Sequence, residues 1–208
     1  MLVDSHCHLN LMSEQGQNIA DVLARAKANG VEYFLNISSV GDVAEVVAVA
    51  EKYANVFASV GMHPEGVCEN NSLQIETLLP YINSPKVIAI GECGLDCNDE
   101  APIEFQKRDF IAQIHLAQQT DLPVIVHNRG CDEAIFEILR AEFKNKPFKI
   151  LIHCFAATQE FAQKCLDLDA YISFSGILTF KNAKEVHEVA KLVPSDKMLV
   201  ETDSPFLA

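Results

Sequence analysis

The chain has 208 residues, 49% of them hydrophobic and 22% charged, which is enough for one domain with a full core and excludes a disordered or low-complexity chain. Its formal net charge of −13 argues against a protein that holds nucleic acid by broad electrostatics, because that binding depends on Lys and Arg neutralising phosphates. A nucleic-acid substrate stays compatible with this charge, since divalent cations in a site can supply positive charge locally.

Short β-branched runs alternate along the chain with longer amphipathic segments, a pattern that predicts alternating strands and helices. In the first half, the predicted elements are a strand from Leu2 into residues 4–6, a helix from Ile19 that Gly30 closes, strand 31–37, helix 43–53, strand 56–60, helix 73–81, strand 87–90 and helix 103–120. In the second half, they are strand 124–126, helix 134–143, strand 149–152, helix 160–168, strand 171–174, helix 182–192 and strand 198–200.

This alternation predicts right-handed βαβ units and a parallel sheet, and its eight strands fit an α/β fold of the closed (β/α)8 TIM-barrel type. A doubly wound open sheet is the structural alternative. The barrel is favoured because histidines and carboxylates follow the apolar part of strands 1, 4, 5, 6 and 8. The ends of such distant strands would not easily meet in an open sheet, whereas in a barrel they converge on the catalytic face.

The last predicted strand, 198–200, lies close to Ala208, so the barrel is expected to lack its final helix. The apolar outer faces of strands 8 and 1 would then be exposed. This predicts either a truncated chain or a barrel that covers this flank by association. We expect residues 1–208 to form a single barrel domain, because no linker or second domain is indicated.

Two histidines, His6 and His8, follow the first strand. In an extended strand they project to the same face, where two imidazoles can bind one metal ion. A lone His-x-His motif more often reflects chance or core packing, but its place at the C-terminal end of a strand favours a metal site. Asp4 points the same way and is expected to be a ligand, an outer partner or the cap of the next turn.

Further candidate ligands follow four later strands. Glu92 lies between Gly91 and Gly94, which allow tight backbone turning beside the carboxylate. A carboxylate at a barrel centre is costly unless it is paired or metal-bound, and the alternative is an exposed loop glutamate. The other three candidates each come after an apolar run and are His127, His153 and Asp203.

These six side chains offer mixed nitrogen and oxygen donors, which suit Zn²⁺, Mn²⁺ or Mg²⁺. Six groups exceed what one ion takes from protein while keeping an open catalytic position. Two ions about 3.5–4 Å apart are therefore expected.

Two more residues are expected at the same face as substrate contacts. His63 ends strand 3 and is predicted to contact a substrate phosphate or to shuttle a proton, with a structural turn as the alternative. Arg129 follows His127 by two residues and can bind phosphate through two parallel hydrogen bonds, with a surface salt bridge as the alternative. His115 and His187 lie on predicted helices and are expected to have solvent or packing roles.

The seven cysteines are scattered and odd in number, so reduced thiols in a cytoplasmic protein are expected rather than a disulfide framework. Cys7 and Cys154, beside candidate ligands, are expected to pack on the outer wall of the barrel. The chain starts without the basic and apolar regions of a secretory signal, and no stretch approaches the ~20 apolar residues of a membrane helix. No membrane partner is therefore expected.

Six motifs appear in order: Asp4-Ser5-His6-Cys7-His8, Gly61-Met62-His63-Pro64, Gly91-Glu92-Cys93-Gly94-Leu95-Asp96, His127-Asn128-Arg129, His153-Cys154-Phe155 and Glu201-Thr202-Asp203-Ser204-Pro205-Phe206-Leu207. Together they resemble the TatD family of metal-dependent deoxyribonucleases, within the wider amidohydrolase-like barrels. The resemblance covers the whole chain, and its six motifs in order are highly specific although each alone is weak.

The resemblance implies a two-metal site on a TIM barrel and hydrolysis of DNA, often from the 3′ end as a 3′–5′ exonuclease. The ligand assignment that it implies places one ion on His6, His8 and Asp203, the other on His127 and His153, and Glu92 between them. Mg²⁺ or Mn²⁺ is the expected functional ion, and Zn²⁺ also suits such a site. DNA or another nucleic acid is the expected partner, and a monomer is favoured. Asp203 and Glu92 are the expected catalytic residues, with Asp203 taking the proton of the attacking water.

Two features depart from the family. Its members continue well past the motif at residues 201–207, with a basic loop and final helices, so this chain is expected to be C-terminally truncated relative to them. Cys97 stands where the family typically has an aromatic residue, which is expected to alter contact with a base or sugar.

Two other functions stay open. The same ions would serve amide or ester hydrolysis, as in an amidohydrolase or an aminoacyl-tRNA deacylase. Many binuclear amidohydrolases bridge their ions with a carboxylated lysine that ends strand 4; here Glu92 holds that place and Lys86 lies at the other end, which favours phosphoesters. The third function is a non-catalytic metal-binding barrel in this truncated form.

Overall fold

Eight parallel strands follow one another in chain order around a single sheet in the computed structural model, which describes residues 1–67 and 74–207. The two edges of the sheet meet, since Asp203 N donates to the His6 carbonyl at 2.9 Å and His8 N donates to the Ser204 carbonyl at 2.8 Å. The predicted barrel is therefore confirmed, and the open-sheet alternative is wrong. The strands are β1 Leu2–Cys7, β2 Val31–Asn36, β3 Val56–Val60, β4 Val87–Asp96, β5 Val124–Arg129, β6 Ile150–Ile152, β7 Tyr171–Phe174 and β8 Met198–Val200.

Helices connect the strands and pack outside the barrel, most of them within a few residues of their predicted positions. The described residues contain eight α-helices rather than the seven expected, because a short helix not predicted from the sequence follows β1. The predicted helix 73–81 is a 3-10 turn, Ile75–Thr77, followed by a four-residue helix, and residue 73 lies outside the described residues. The helices are α1 Leu9–Glu14, α2 Ile19–Ala28, α3 Val43–Lys52, α4 Leu79–Ile82, α5 Ile103–Thr120, α6 Asp132–Asn145, α7 Gln159–Leu166 and α8 Lys184–Leu192.

The seam between β8 and β1 is less covered than the rest of the barrel. In the part of the chain that the structure describes, no helix follows β8. Val3 on β1 and Val200 on β8 are accordingly 46% and 47% exposed. In residues 1–67 and 74–207, no helix combines the length and apolarity needed to cross a bilayer.

Two apolar cores lie on the two faces of the sheet, as in parallel strands that are buried on both sides. A large cluster fills the space between strands and helices, and a small one fills the barrel interior. Along β5, Val124 and Val126 belong to the outer cluster and Ile125 to the inner one. Because side chains alternate along a strand, the next interior position after Ile125 is His127.

The same alternation directs the other strand ends inward. On β6 the interior residue is Leu151, which predicts an inward His153, and on β8 it is Leu199, which predicts inward side chains at 201 and 203. Strand β4 is different, because its pairing with β5 shifts register between Ile90 and Cys93. A register shift of this kind re-aims side chains, so that Glu92, three residues after the interior Ala89, faces the barrel axis.

A disulfide joins Cys97, just after β4, to Cys131, just before α6, so the expectation of reduced thiols is wrong for this pair. It closes a loop of 34 residues between two neighbouring strand ends at the C-terminal end of the barrel. The sequence did not predict it because Cα atoms 5.7 Å apart are brought together only by the pairing of β4 with β5. The described free cysteines are Cys7, Cys93, Cys154 and Cys165, and Cys68 lies outside the described residues.

Candidate metal centre

Five histidine rings surround the carboxylate of Glu92, which is only 4% exposed at the C-terminal end of the barrel. These rings come from the ends of β1, β3, β5 and β6, and the convergence predicted from a barrel is therefore present. The distances from the nearest Glu92 oxygen are 2.7 Å to His153 Nε2, 2.9 Å to His127 Nδ1, 3.3 Å to His6 Nε2, 3.6 Å to His63 Nε2 and 4.0 Å to His8 Nε2.

One side of this cluster is formed by residues at the C-terminal ends of β1 and β8, the two strands that meet at the seam. His6 Nε2 and His8 Nε2 lie 3.3 Å apart, and each lies 3.6 Å from Asp203 Oδ1. His8 Nδ1 faces the Ile37 carbonyl at 3.2 Å, so a neutral His8 donates there and keeps the lone pair of Nε2 for the cluster. These three side chains form a compact group of two nitrogens and one oxygen.

On the other side of Glu92, His127 and His153 lie close together, with His153 Nε2 3.4 Å from His127 Nδ1. Both nitrogens approach the same oxygen, Glu92 Oε1, whereas His6 approaches Oε2. The two carboxylate oxygens therefore serve different histidines. This is the arrangement of a group that can bridge two cations.

Glycine is required beside Glu92. A Cβ atom at Gly91, where φ is 128°, would lie 2.6 Å from the Ile125 carbonyl oxygen. At Gly94, where φ is 146°, a Cβ atom would run into the backbone of His127. Only glycine adopts such backbone angles without strain and leaves room for β5. The expectation that glycines shape the backbone around this carboxylate is confirmed.

Asp203 and Cys154 hold backbone conformations that are unusual for residues with side chains, with φ of 56° and 44°. Left-handed residues other than glycine are uncommon and cluster at functional sites. Cys154 also lines the cavity beside the cluster, so the expectation that it packs on the outer wall is wrong. Cys7 is buried in the outer core as expected.

Asp4, a candidate ligand or outer partner from the sequence, does not reach the cluster of donor atoms. Its Oδ1 accepts a hydrogen bond from Thr202 N at 3.0 Å and its Oδ2 accepts one from Thr202 Oγ1 at 2.7 Å. It thereby ties β1 to the segment that carries Asp203 and helps to close the barrel beneath the site.

The cluster is strongly coupled electrostatically. Burial opposes the charge of Glu92, but His153 and His6 hold the pKa of its carboxyl well below its usual range. Burial also opposes the charge of His153, yet Glu92 and Glu201 raise the pKa of its imidazole well above the ordinary value. The pKa of Asp203 is likewise lowered, because the combined effect of His8, His6 and His153 outweighs burial. The carboxyls of Glu92 and Asp203 are therefore held in the ionised form, whereas burial lowers the pKa of the His6 imidazole.

These donors fit divalent cations. The described residues contain three groups of His and carboxylate, two of which share His6, and within each group the donor atoms lie within 4.8 Å of one another. A buried carboxylate is costly unless it is paired or bound to a cation, and mixed nitrogen and oxygen donors suit Zn²⁺, Mn²⁺ or Mg²⁺. The three groups are His6 with His8 and Asp203, His6 with His153 and Glu201, and His63 with Glu92 and His127.

A cavity of about 430 Å³ opens above the cluster. His63 and Arg129, the two predicted substrate contacts, both line it. Burial lowers the pKa of His63 to about 4, so its ring is neutral at pH 7. The Arg129 guanidinium is 65% exposed at the rim, 3.7 Å from Asp96 Oδ2. His115 and His187 lie on α5 and α8, outside this cavity, as expected.

Two buried carboxylates near the cluster were not singled out from the sequence, namely Asp96 and Glu201. Asp96 Oδ2 lies 3.5 Å from His127 Nε2, and Glu201 Oε1 lies 3.5 Å from His153 Nδ1. A signal was present in both cases, because each stands an even number of residues from a proposed ligand, Glu92 or Asp203, and so shares its face of the chain.

The family model described as TatD related DNase matches residues 3–208 of the chain. The chain is 37% identical over 209 residues to the uncharacterized metal-dependent hydrolase YabD of Bacillus subtilis, with 100% of this chain and 81% of that protein covered. It is 32% identical over 204 residues to the 3′-5′ ssDNA/RNA exonuclease TatD of Salmonella typhimurium, with 96% and 78% covered. The structure is similar to that of YJJV, a TatD homolog from Escherichia coli, with a TM-score of 0.86, 27% identity, and 99% of this chain and 80% of that chain covered.

Proposed function

The chain belongs to the TatD-related DNase family, and on that premise we propose that it is a metal-dependent phosphodiesterase that hydrolyses DNA, from the 3′ end of a single strand. The observation that carries this proposal is the convergence of five histidines on one buried carboxylate, Glu92, beneath an open cavity. A relative at 32% identity is named a 3′-5′ ssDNA/RNA exonuclease, which supports both the substrate class and the direction.

In the proposed site, the six predicted ligands hold two divalent cations, with Mg²⁺ or Mn²⁺ in function and Zn²⁺ as a further possibility. His6, His8 and Asp203 would hold one ion, His127 and His153 would hold the other, and Glu92 would be the carboxylate shared by both groups. Bound cations of this kind polarise a phosphoryl oxygen and lower the pKa of an attacking water. The support is that the two oxygens of Glu92 approach histidines of different groups.

Asp203 is the proposed acceptor of the water's proton. Its side chain is 14% exposed and lines the cavity, so an ionised carboxylate is available to a water there. A general base must lie within hydrogen-bond reach of the proton that it takes, and the left-handed backbone at Asp203 directs its side chain at this position. Glu92 serves the same step by holding the histidines around it in place.

His63 and Arg129 are the proposed phosphate contacts. His63 Nδ1 accepts a hydrogen bond from Glu65 N at 3.1 Å, so the neutral ring carries its proton on Nε2, which faces the cluster. A ring with a pKa of about 4 is a poor proton shuttle at pH 7 and a good neutral donor to a phosphate oxygen. Arg129 at the rim adds a charge-assisted donor for the same phosphate or its neighbour.

Amide or ester hydrolysis is less well supported. The lysine nearest in sequence to Glu92 is Lys86, whose Nζ donates at 2.9 Å to each of three backbone carbonyls at the far end of the barrel. Those carbonyls belong to Tyr53, Ala54 and Val56. A carboxylated lysine at the cluster is therefore not supplied by this strand, and donors suited to phosphate line the rim.

The test is hydrolysis of single-stranded DNA labelled at its 5′ end, in Mn²⁺ or Mg²⁺ and with EDTA, beside release of free amino acid from charged tRNA. We expect progressive shortening from the 3′ end that EDTA abolishes, and no deacylation. A second arm uses Asp203→Asn, with Asp167→Asn, at the exposed residue that follows α7, as the matched control. Deacylation without DNA cleavage would support an amidohydrolase, and cation binding without either reaction would support a non-catalytic barrel.

A further inference from the structure

Two buried carboxylates stand behind the two histidines that approach Glu92 most closely. His153 turns Nε2 towards Glu92 at 2.7 Å and Nδ1 towards Glu201 at 3.5 Å. His127 turns Nδ1 towards Glu92 at 2.9 Å and Nε2 towards Asp96 at 3.5 Å. The side chains of Glu201 and Asp96 are 0% and 2% exposed. Each ring therefore lies between an inner and an outer carboxylate.

The outer nitrogens of both rings are short of partners. Among the described residues, His153 Nδ1, His127 Nε2 and Glu201 Oε2 are buried atoms without a hydrogen bond. An imidazole that binds a cation through one nitrogen is neutral and carries its proton on the other nitrogen, whose position depends on the group that it faces. A carboxylate behind the ring attracts the N–H and leaves the lone pair of the inner nitrogen free to bind a cation.

We propose that Glu201 and Asp96 are positioning residues, which fix the tautomer and the orientation of His153 and His127 for cation binding. This inference rests on the proposed function only in that the two histidines bind a cation. It requires nothing of the substrate. The sequence motifs and the family match assign no role to either carboxylate.

Glu201 is held firmly for this role. Its Oε1 accepts a hydrogen bond at 2.8 Å from Cys154 N, the residue directly after His153. Cys154 makes this contact from a left-handed backbone conformation, with φ of 44°. The outer carboxylate and the histidine that it faces are thus linked through one short piece of backbone, and a shift of one is transmitted to the other.

Asp96 is held in a second way. Its Oδ1 accepts a hydrogen bond from Asn98 N at 2.8 Å, and its Oδ2 lies between His127 Nε2 and Arg129 Nη1. Asn98 N and Arg129 Nη1 are donors, and His127 Nε2 is a third donor in the proposed tautomer, so an amide at this position would turn its NH2 group towards at least one of them. Asp96→Asn should therefore disturb His127. Through its Oδ2 atom, Asp96 also connects His127 to Arg129 at the rim of the cavity.

Two substitutions of Glu201, by leucine and by glutamine, distinguish a positioning role from a purely structural role. In Glu201→Gln, the amide oxygen at the Oε1 position still accepts from Cys154 N and still faces His153 Nδ1, while its NH2 group takes the place of Oε2, which has no hydrogen bond in the described residues. Glu201→Leu keeps a similar volume and removes the acceptor. A merely structural residue would alter the stability of both variants without a selective effect on cation affinity.

The experiment is a titration of the folded, EDTA-treated protein with Mn²⁺ alone, followed by calorimetry, for the wild type, Glu201→Gln, Glu201→Leu and Asp96→Asn. The matched control is Glu142→Gln, which alters a carboxylate 2.9 Å from His115 outside the cavity. Far-UV circular dichroism and thermal unfolding identify the variants that fold. If Glu201→Leu does not fold, the decision rests on Asp96→Asn.

We expect Glu201→Leu and Asp96→Asn to weaken Mn²⁺ binding about 10–100-fold, as loss of outer partners does at other metal sites. Glu201→Gln should recover much of that affinity, and Glu142→Gln should match the wild type. Folded Glu201→Leu or Asp96→Asn with wild-type affinity would overturn the assignment of that residue. A wild type that binds Mn²⁺ but does not cleave DNA would overturn the proposed function and leave this inference standing.

Discussion

Glu92 Oε1 lies 2.7 Å from His153 Nε2, the shortest of the five contacts between this carboxylate and the surrounding histidines. The contact joins the middle of β4 to the residue that follows β6, across the intervening β5. It depends on the register shift in β4, without which the side chain at position 92 would face the helices rather than the barrel axis. One backbone irregularity therefore places the central group of the cluster.

Glu92→Gln is expected to weaken cation binding strongly, because it replaces the central carboxylate of the cluster by a neutral amide. The amide cannot carry the negative charge that the cations require, and its NH2 group faces histidine nitrogens that must stay free. We expect a loss of Mn²⁺ affinity larger than the 10–100-fold that is typical of an outer partner. Calorimetric titration measures it, and Glu142→Gln is again the control. Wild-type affinity in folded Glu92→Gln would show that this carboxylate is not a ligand.

Gly94→Ala is expected to destabilise the barrel. The substitution forces a side chain into a backbone with φ of 146° and against the backbone of His127, whereas the control Gly30→Ala meets φ of 87° in open space. A strained conformation costs about 1–3 kcal/mol by itself, so Gly30→Ala should fall in that range and Gly94→Ala above it. Urea denaturation gives both values. An equal decrease in the free energy of unfolding for both variants would mean that the backbone of β5 moves aside without an energetic penalty.

Reduction of the disulfide between Cys97 and Cys131 is expected to lower stability. In the chain-entropy treatment, a bridge that closes 34 residues contributes about 3–4 kcal/mol, mainly by restricting the unfolded chain. Thermal unfolding with and without a thiol reductant measures the effect. The double variant Cys97→Ser with Cys131→Ser should unfold at a lower temperature and be insensitive to the reductant. An unchanged wild type under full reduction would contradict this expectation.

Arg129→Gln is expected to weaken substrate binding more than turnover. The guanidinium lies at the rim, away from Glu92, and a charge-assisted hydrogen bond contributes about 1.5–3 kcal/mol, which corresponds to a loss in kcat/KM of about 10–150-fold. Most of this should appear as a higher KM for DNA. Arg140→Gln, on the outer surface of α6, is the control. An equal fall in kcat at unchanged KM would assign Arg129 to the transition state instead.

Much of the barrel could be predicted from the sequence, because apolar runs such as 124–126 and 171–174 mark buried parallel strands and His127 follows one of them directly. The helix Ile103–Thr120 begins and ends where its pattern predicts. The strand ends also predicted where His6 and His153 would lie. These features depend on local periodicity, which a single sequence shows.

Other features depend on contacts between distant segments. Strand β4 runs on to Asp96 rather than ending at Ile90, because its pairing with β5 continues past the register shift. The pairing of Cys97 with Cys131 and the place of Glu201 behind His153 arise only when neighbouring strands come together. No local pattern of residues marks such contacts, although the alternation of side chains could have drawn attention to Asp96 and Glu201.

The most direct test of the central claim is the rate at which the chain removes 3′ nucleotides from single-stranded DNA in Mn²⁺, compared between the wild type and folded Asp203→Asn. We predict cation-dependent shortening by the wild type and none by Asp203→Asn, with Asp167→Asn equal to the wild type. Asp203 would then be required for the reaction, as its place beside His6 and His8 implies. Undiminished cleavage by folded Asp203→Asn, or a wild type that binds Mn²⁺ and leaves DNA intact, would contradict the claim.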